Sequence, residues 1–303
     1  MAGRGSYRRT GLSPAAMFAM SIQILVSKQN HDGGWAYVRG ASWTEPTVYA
    51  VLALLAAGET EAARKGLGWL RSQQLPDGGW PPQTGFDEST WVTALAALVP
   101  PEHLGTLAHG RAIEWVMKTC GEESTNTFRL REWLLGNSPP RPEPVAWPWV
   151  RGTAAWVGPT SISVLALDKE NLRRRSAAIA RRIGEGRRFL LERCCPGGGW
   201  NHGSVRVYGH DGVPYPETTG MALVALRGVR SVQTEKGLDV ARKFLAESRS
   251  ADALNWLRLG LMAHESMPVG YCLPADVACR TLMETSLDML VAGTPNGREI
   301  FLG

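Results

Sequence analysis

The chain has 303 residues, and 44% of them are hydrophobic. No proline- or serine-rich linker divides it, which indicates one domain. The net charge is +5, but no nucleic-acid recognition motif accompanies the charge, so we expect no nucleic-acid partner. Five cysteines, an odd count, argue against a disulfide framework and indicate a reducing compartment.

The N-terminal segment is the first feature in chain order. We expect residues 1–12 to form a flexible tail and residues 13–303 to form the single domain. Basic residues followed by an apolar run are also typical of a signal peptide. Ser13 and Pro14, however, form an N-cap and first-turn pair, and the run continues into the first repeat described below. We therefore interpret the run as a helix and predict a cytoplasmic protein.

A helix that ends in a glycine turn occurs three times. Residues 65–80 read KGLGWLRSQQLPDGGW, and Gln74 in this string precedes Asp-Gly-Gly-Trp80. Gln29 leads to Trp35 in the same way, and Cys194 leads to Trp200. The glycines supply the left-handed backbone that stops a helix. We predict that the glutamine and the tryptophan staple adjacent hairpins, and that the staple is weaker where cysteine replaces glutamine.

A largely apolar segment follows each of these turns, with an acid or a proline near its start. The segments after Trp35 and Trp80 read VYAVLALL and WVTALAAL. A helix that is apolar on most sides must be buried. Alternation of amphipathic and apolar helices at spacings of roughly 45 to 70 residues is typical of helical-hairpin repeats. We predict an all-α fold, an α/α toroid of about six hairpins with apolar inner and amphipathic outer helices.

Residues 65–80 resemble the QW repeat of triterpene cyclases such as squalene-hopene cyclase. The wider superfamily, which includes class II terpene cyclases and the β-subunits of protein prenyltransferases, shares an α/α toroid. The resemblance covers about residues 14–230. It implies an isoprenoid-handling protein and a hydrophobic, isoprenoid-like small molecule as the ligand. We predict no cofactor and no metal site. A zinc site at Cys194, Cys195 and His202 is the alternative, since some toroids of the superfamily, such as protein prenyltransferases, hold zinc, but that family's Asp, Cys and His pattern is not recognisable here.

The same resemblance implies where a catalytic acid would stand. Class II terpene cyclases protonate their substrate with the middle aspartate of a D-x-D-D motif at the start of an inner helix. Here the corresponding segment reads Phe-Asp-Glu-Ser-Thr, so the motif is not intact. Asp87 and Glu88 are the candidate catalytic acids. Glu88 also repeats Glu45 and Glu217, which favours a structural role as a helix-start acid.

A candidate ligand-binding wall consists of aromatic residues in or before the inner helices. Core filling is the alternative for these side chains, since large aromatic residues also dominate protein cores. A polar and aromatic loop after Trp200 is a further candidate for capping the ring. The predicted ligand-binding residues are Tyr49, Trp91, Trp147, Trp149, Trp156, Tyr208 and Glu217.

An arginine-rich segment accounts for part of the positive charge. Seven arginines between Arg173 and Arg188 are predicted to lie on one helix. The segment is either a solvated outer face or a contact with an anionic group, which would be a diphosphate or the lipid headgroups at the inner face of the membrane. Three functions stay open: an isoprenoid-modifying enzyme, a non-catalytic binder of a polyprenyl or other lipid, and a protein-interaction scaffold.

Overall fold

The computed structural model describes residues 13–135, 145–268, 271, 273–274, 276–292 and 295–303. The predicted tail, residues 1–12, lies outside the described residues. The helices are α1 (Pro14–Ser27), α2 (Thr44–Ala57), α3 (Thr60–Gln73), α4 (Val92–Ala96), α5 (Pro101–Leu104), α6 (Thr106–Lys118), α7 (Asn126–Leu134), α8 (Val157–Arg174), α9 (Ala177–Glu192), α10 (Pro216–Ala225), α11 (Val232–Glu247), α12 (Ala251–Ala263), α13 (Leu282–Ala292) and α14 (Pro295–Leu302). One antiparallel strand pair is described, β1 (Arg206–Val207) with β2 (His210–Asp211).

The apolar helices form a closed inner ring. Helices α2, α4, α8, α10, α12 and α13 contact one another in that order, and α13 returns to α2. Backbone hydrogen bonds join the loops at their N-terminal ends: the Trp91 amide donates to the Trp149 carbonyl at 3.0 Å, and the Leu282 amide donates to the Tyr37 carbonyl at 2.7 Å. The N-terminal ends of the inner helices therefore share one face of the ring, the mouth. Their C-terminal ends form the opposite face, the base.

The amphipathic helices pack outside this ring. Helices α1, α3, α6, α9 and α11 each contact one or two inner helices. In α3, for example, Leu67 and Leu70 are buried, whereas Arg64 and Lys65 point to solvent. Within the described residues, α13 is preceded by irregular chain rather than by an outer helix. The predicted all-α toroid, with apolar inner and amphipathic outer helices, is confirmed.

Tryptophans anchor each turn in the same way. The indole N–H of Trp35 donates to the Leu25 carbonyl at 2.8 Å, and that of Trp80 donates to the Leu70 carbonyl at 2.7 Å. Trp200 bonds Leu190 likewise. The backbone amides of these tryptophans donate to a threonine hydroxyl in the following inner helix. All three rings are fully buried, so each anchors a loop between two helices without leaving a polar group unpaired.

Trp147 makes a fourth copy of this anchor, although no Gly-Gly precedes it. Its indole donates to the Val116 carbonyl at 2.8 Å and its amide to the Thr160 hydroxyl at 3.1 Å. The Arg182 guanidinium lies 3.6 Å from the centre of its ring. Trp147 is 1% exposed. The prediction that Trp147 lines a ligand wall is therefore corrected: the side chain is an anchor inside the core.

The predicted glutamine staple is formed at both glutamines. The Gln74 amide donates to the Gly78 carbonyl and to the Ala108 carbonyl of α6, each at 2.9 Å. Gln29 does the same with Gly33 and Ala62. In each case the partner in the next outer helix is a backbone carbonyl, to which the glutamine side chain donates. At the third copy, Cys194 has its sulfur 4.0 Å from the Gln233 carbonyl, a weaker contact, as predicted.

The arginine-rich segment is divided between two helices. Arg175 has a left-handed backbone with φ of 49° and ends α8, and Ser176 caps the start of α9. The prediction of one helix is wrong because this pair breaks it. Arg182 and Arg187 are not solvated either: Arg182 donates to the Thr119 carbonyl at 2.7 Å, and Arg187 pairs with Asp168. These two arginines join neighbouring hairpins.

Candidate functional site

Three aromatic rings fill the axis of the inner ring. The Phe301 ring, from α14, lies 6.1 Å from the Tyr49 ring and 5.9 Å from the Trp256 ring, measured between centroids. All three side chains are almost fully buried. Tyr49 and Trp256 belong to α2 and α12, which α13 separates in the ring, so the contacts meet at the centre. Tyr49 therefore fills the core at this depth, which was the alternative to its role in a ligand wall.

A layer of carboxyl groups lies one helical turn closer to the mouth. Glu45 precedes Tyr49 by four residues, and Asp252 precedes Trp256 by four, so each acid shares a helix face with the aromatic residue below it. Glu217 of α10 and Glu284 of α13 also stand in the first turns of their helices. All three glutamates interact electrostatically with Asp252. Four neighbouring inner helices thus direct carboxyl groups to one place.

Asp252 has the most perturbed carboxyl of this layer. Its pKa is raised to about 7, chiefly by burial and also by the charges of Glu217, Glu45 and Glu284, against a hydrogen bond with Trp256 that lowers it. Its buried Oδ1 has no hydrogen-bond partner among the described residues. A carboxylic acid with this pKa still carries its proton in about half of the molecules at neutral pH. Asp252 can therefore donate a proton.

Glu45 differs from Asp252 because a phenol hydroxyl donates a hydrogen bond to its carboxylate. Burial raises the pKa of Glu45, while the hydrogen bond that the Tyr37 hydroxyl donates to its carboxylate lowers it. Burial and the Glu45 charge in turn raise the pKa of Tyr37, which keeps the phenol protonated as a donor. The site therefore combines a carboxyl that holds its proton, Asp252, with a neighbouring carboxylate that has its own donor.

The structure corrects the register by which Glu88 was matched to Glu45 and Glu217. The threonines that anchor the tryptophan amides are Thr47, Thr93, Thr160 and Thr219. Glu45 and Glu217 stand two residues before their anchors. The residue two before Thr93 is Trp91, not Glu88. Asp87 and Glu88 lie in the exposed loop before α4, outside the first turn in which they were placed. Their catalytic role stays a prediction, without the buried setting that it requires.

Two of the predicted aromatic residues form a wall at the mouth. Trp91 and Trp149 meet edge to face at 4.9 Å between ring centroids, and both are partly exposed. A methyl group on Gly158 would lie 3.3 Å from the Trp149 ring and 4.0 Å from the Met221 sulfur, so these side chains surround the start of α8. Met221 follows Glu217 by one helical turn. The wall is thus connected to the carboxyl layer through α10.

The remaining predicted residues lie nearer to solvent. Trp156 caps α8 and is 36% exposed, with its ring edge-on to His202 at 6.1 Å. Tyr208 is 99% exposed in the turn between β1 and β2. Glu217 is the one residue of the predicted set that lies in the carboxyl layer. No group of His, Cys, Asp and Glu among the described residues has an arrangement that could hold a metal ion.

Sequence reasoning missed Asp252, although a signal was present. Ser250 caps α12, and Asp252 stands in the first turn before an apolar helix, the pattern already seen at Glu45 and Glu217. The resemblance extends only to about residue 230, so it does not include this hairpin. Repetition of the helix-start acid was interpreted as structural. In a closed ring, however, equivalent positions meet at the axis.

Sequence comparisons match a limited part of the chain. The model of the squalene-hopene cyclase C-terminal domain matches residues 10–94. A probable squalene–hopene cyclase from Sinorhizobium fredii is 34% identical over 88 residues, 23% of this chain and 14% of that protein. Lanosterol synthase from Candida albicans is 41% identical over 81 residues, 25% of this chain and 11% of that protein. The matched segments thus represent a small part of the length of these relatives.

Solved structures match nearly the whole chain. A novel α-amylase from Clostridium perfringens has a TM-score of 0.61 at 8% identity, covering 93% of this chain and 99% of that one. A GH8 endo-β-1,4-glucanase from an Achatina fulica gut metagenomic library has a TM-score of 0.56 at 13% identity, covering 89% and 95%. At these identities the likeness concerns the fold alone. The solved structures thus agree with the closed ring of hairpins, and residues 10–94 are similar to the squalene-hopene cyclase C-terminal domain.

Proposed function

We propose that the protein binds an isoprenoid-like molecule at the mouth of the toroid and that Asp252 protonates it. The observation that carries the proposal is the raised pKa of Asp252, about 7, in a carboxyl whose Oδ1 has no hydrogen-bond partner within the described part of the chain. Protonation of an alkene or epoxide requires a carboxylic acid that still holds its proton near neutral pH. Burial among like charges provides that condition at Asp252.

The step that follows from this geometry is an acid-initiated cyclisation. The Asp252 O–H bond breaks as its proton forms a C–H bond at the alkene, or an O–H bond at an epoxide, which leaves a carbocation in the ligand. The aromatic faces of Trp91 and Trp149 stabilise positive charge through their quadrupoles. A neighbouring carboxylate such as Glu217 accepts the proton that the final cation releases. The protonated donor is thus restored after proton exchange among the carboxyls.

The position of Phe301 limits where such a ligand lies. Phe301 occupies the axis beneath the carboxyl layer, so the ligand is proposed to contact the acid from the mouth side. Because Phe301 blocks the axis beneath the carboxyl layer, little depth is left above it, which favours a ligand that inserts only one of its ends. A non-catalytic lipid binder would use the same wall without the proton transfer, and a protein-interaction scaffold would use the rim alone.

The test compares proton donors by substitution. The unmodified protein and the variants Asp252→Asn, Asp87→Asn and Glu88→Gln are incubated with squalene and with a prenyl diphosphate, and products are identified by mass spectrometry. We expect turnover by the unmodified protein and a loss of about 100-fold or more in Asp252→Asn. A comparable loss only in Glu88→Gln or Asp87→Asn would favour the loop acids instead. Binding without turnover would favour the lipid binder, and absence of both would favour the scaffold.

A second candidate function is hydrolysis of a glycoside. One protonated carboxyl beside ionised carboxylates is also the arrangement that glycosidases use, with one group as acid and another as nucleophile or base. The specific observation is that Asp252 has three glutamates in interaction range, more than hydrocarbon protonation requires. Incubation of the same variants with soluble cellulose and starch oligosaccharides tests this candidate. Release of reducing sugar that depends on Asp252 would replace the isoprenoid proposal.

We further propose that the protein works in the cytoplasm and contacts anionic membrane surfaces. No helix of the described chain combines the length and the apolar character needed to span a bilayer. The proposed contact surrounds the turn between α8 and α9, where Arg175 and Arg181 are exposed and Leu172 is 62% exposed. We expect co-sedimentation with phosphatidylserine vesicles but not with phosphatidylcholine vesicles, and weaker binding by an Arg175→Glu/Arg181→Glu double variant. Equal binding by the double variant would contradict this surface.

A further inference from the structure

Tyr37 lies at the seam where the inner ring closes. Helices α2 and α13 are the first and the last inner helices along the chain, and they contact each other. The Tyr37 carbonyl accepts a hydrogen bond from the Leu282 amide at the start of α13, at 2.7 Å. Its ring lies against Trp43, the N-cap residue of α2, at 5.6 Å between ring centroids. The backbone and the ring of Tyr37 therefore hold its hydroxyl group in one place at the mouth.

This hydroxyl group donates to the carboxylate of Glu45. The hydrogen bond joins the loop to the first turn of α2, and both residues are partly buried. A phenol that keeps its proton is a donor, and a hydrogen bond to an ionised acceptor is roughly twice as strong as one between neutral groups. The Tyr37 hydroxyl therefore favours the ionised form of Glu45 over the protonated form.

Other acids of the layer differ from Glu45 in their hydrogen-bond donors. Glu284 Oε2 accepts from the backbone amides of Arg280 and Thr281, the latter at 3.2 Å, so the start of α13 holds this carboxylate ionised. Glu217 adds its charge to Asp252 from α10. Asp252 Oδ1 is buried and has no hydrogen-bond partner in the part of the chain that the structure describes. Asp252 therefore has an oxygen on which a proton can reside without displacing a donor.

Glu45 and Asp252 compete for a proton because they are neighbours and both are removed from water. They interact electrostatically with each other and with Tyr49, whose ring lies one helical turn below them. Tyr37 interacts with the same Tyr49 ring, so the four side chains converge on one place. Two like charges in a buried place are unfavourable, so a proton bound to one carboxyl weakens proton binding by the other. A donor that holds Glu45 ionised therefore leaves the proton to Asp252.

We propose that Tyr37 is a positioning residue that assigns the proton of the acid layer to Asp252. Its hydroxyl holds Glu45 as a carboxylate, and the charge of this carboxylate keeps the proton on Asp252. When the hydroxyl is absent, the proton leaves an Asp252 oxygen and binds a Glu45 oxygen, so the acid moves from α12 to α2. The inference rests on the function proposed for Asp252, and it explains which of two neighbouring carboxyls is the donor.

The test is the variant Tyr37→Phe, which removes the hydroxyl group and keeps the ring and the backbone carbonyl. Protein labelled with ¹³C at the Asp and Glu carboxyls is titrated by NMR, and the two resonances are identified by their absence in Asp252→Asn and in Glu45→Gln. We expect the titration midpoint of Asp252 to fall by about 1 pH unit and that of Glu45 to rise. Tyr208→Phe is the matched control, because Tyr208 is 99% exposed, and it should leave both midpoints unchanged.

A double variant separates this role from support of the loop. In Glu45→Gln no charge is left for the hydroxyl to hold, so the addition of Tyr37→Phe should leave the Asp252 midpoint where Glu45→Gln alone places it. An Asp252 midpoint that does not move in Tyr37→Phe, or that moves equally with and without Glu45→Gln, would overturn the proposal. If Tyr37→Phe fails to fold, the ¹³Cζ resonance of Tyr37 in the unmodified protein decides: it should move at the pH at which Glu45 binds its proton, and a resonance that does not follow Glu45 would overturn the proposal.

Activity is a separate readout, because the titration requires no substrate. If the unmodified protein turns over an isoprenoid, the alkaline limb of its pH–rate profile should move to lower pH in Tyr37→Phe, by the same amount as the Asp252 midpoint. Turnover that depends on Asp252, together with an unmoved midpoint, would support the proposed function and overturn the role of Tyr37. A moved midpoint without turnover of any substrate would support the role of Tyr37 in holding the proton and overturn the proposed function.

Discussion

Replacement of Asp252 by asparagine should stabilise the protein, and more so as the pH rises. The folded-state pKa is about 7 against an ordinary value of 3.8. Below the ordinary value the carboxyl is protonated in both states and contributes nothing. Between the two values the unfolded chain releases the proton and the folded chain keeps it, so the free energy of unfolding falls as the pH rises. Above about pH 7 Asp252 is ionised in both states, and its full destabilising effect on the free energy of unfolding is present.

The magnitude follows from the separation of the two pKa values. A difference of about 3 units, at about 1.36 kcal/mol per unit, gives at most about 4 kcal/mol of destabilisation at pH 8. Asparagine keeps the shape and the carbonyl oxygen but never ionises. The stability gained in Asp252→Asn should therefore grow from near zero at about pH 4 to about 3 to 4 kcal/mol at about pH 8.

Urea unfolding at a series of pH values measures this difference. Asp239→Asn is the matched control, because the Asp239 side chain is 78% exposed and pairs with Arg242 at the surface. Its stability difference from the unmodified protein should change little with pH. Glu45→Gln should lower the pKa of Asp252, since one of the charges that raise it is removed. A difference between Asp252→Asn and the unmodified protein that stays flat, or shrinks, as the pH rises would refute the reasoning.

Four further variants test the packing. Gly78→Ala should cost about 2 to 4 kcal/mol in urea unfolding, because φ is +93° and the added methyl would lie 2.8 Å from a backbone carbonyl of α6. Gly40→Ala, with φ of +107° and open space around it, should cost only about 1 kcal/mol, so equal losses would contradict a role for the close contact. Cys194→Gln should restore the staple and raise the urea midpoint by an amount equivalent to about 1 kcal/mol, and an unchanged midpoint would argue against equivalence with Gln74. Phe301→Ala should cost about 3 to 5 kcal/mol, since it empties the ring axis, and a loss below about 1 kcal/mol would mean that α14 does not fill it.

The candidate site was predictable only in its parts. The acid at the start of each apolar helix is visible in the sequence at Glu45 and Glu217, and the same pattern is present at Asp252. At the second repeat two threonines lie close together, Thr90 and Thr93, and the sequence does not show which one is equivalent to Thr47. The structure shows that it is Thr93, whose hydroxyl accepts the hydrogen bond from the Trp80 amide. The anchor at Trp147 was also missed, since no glycine pair marks it. In both cases the residues are equivalent to those of the other repeats because they make the same hydrogen bond, and no sequence motif marks them.

The sequence by itself determined the type of fold. Amphipathic helices, glycine turns and apolar helices recur locally, and the positions at which Gln29 and Gln74 bond the next hairpin follow from that repeat. Only the tertiary structure decided which side chains meet. Closure of the ring brings Glu45, Glu217 and Asp252 together from helices far apart in the chain, and burial together with the charges of the two glutamates raises the pKa of Asp252. The acidity of Asp252 is therefore a property of the closed ring, because no local segment contains the neighbours that create it.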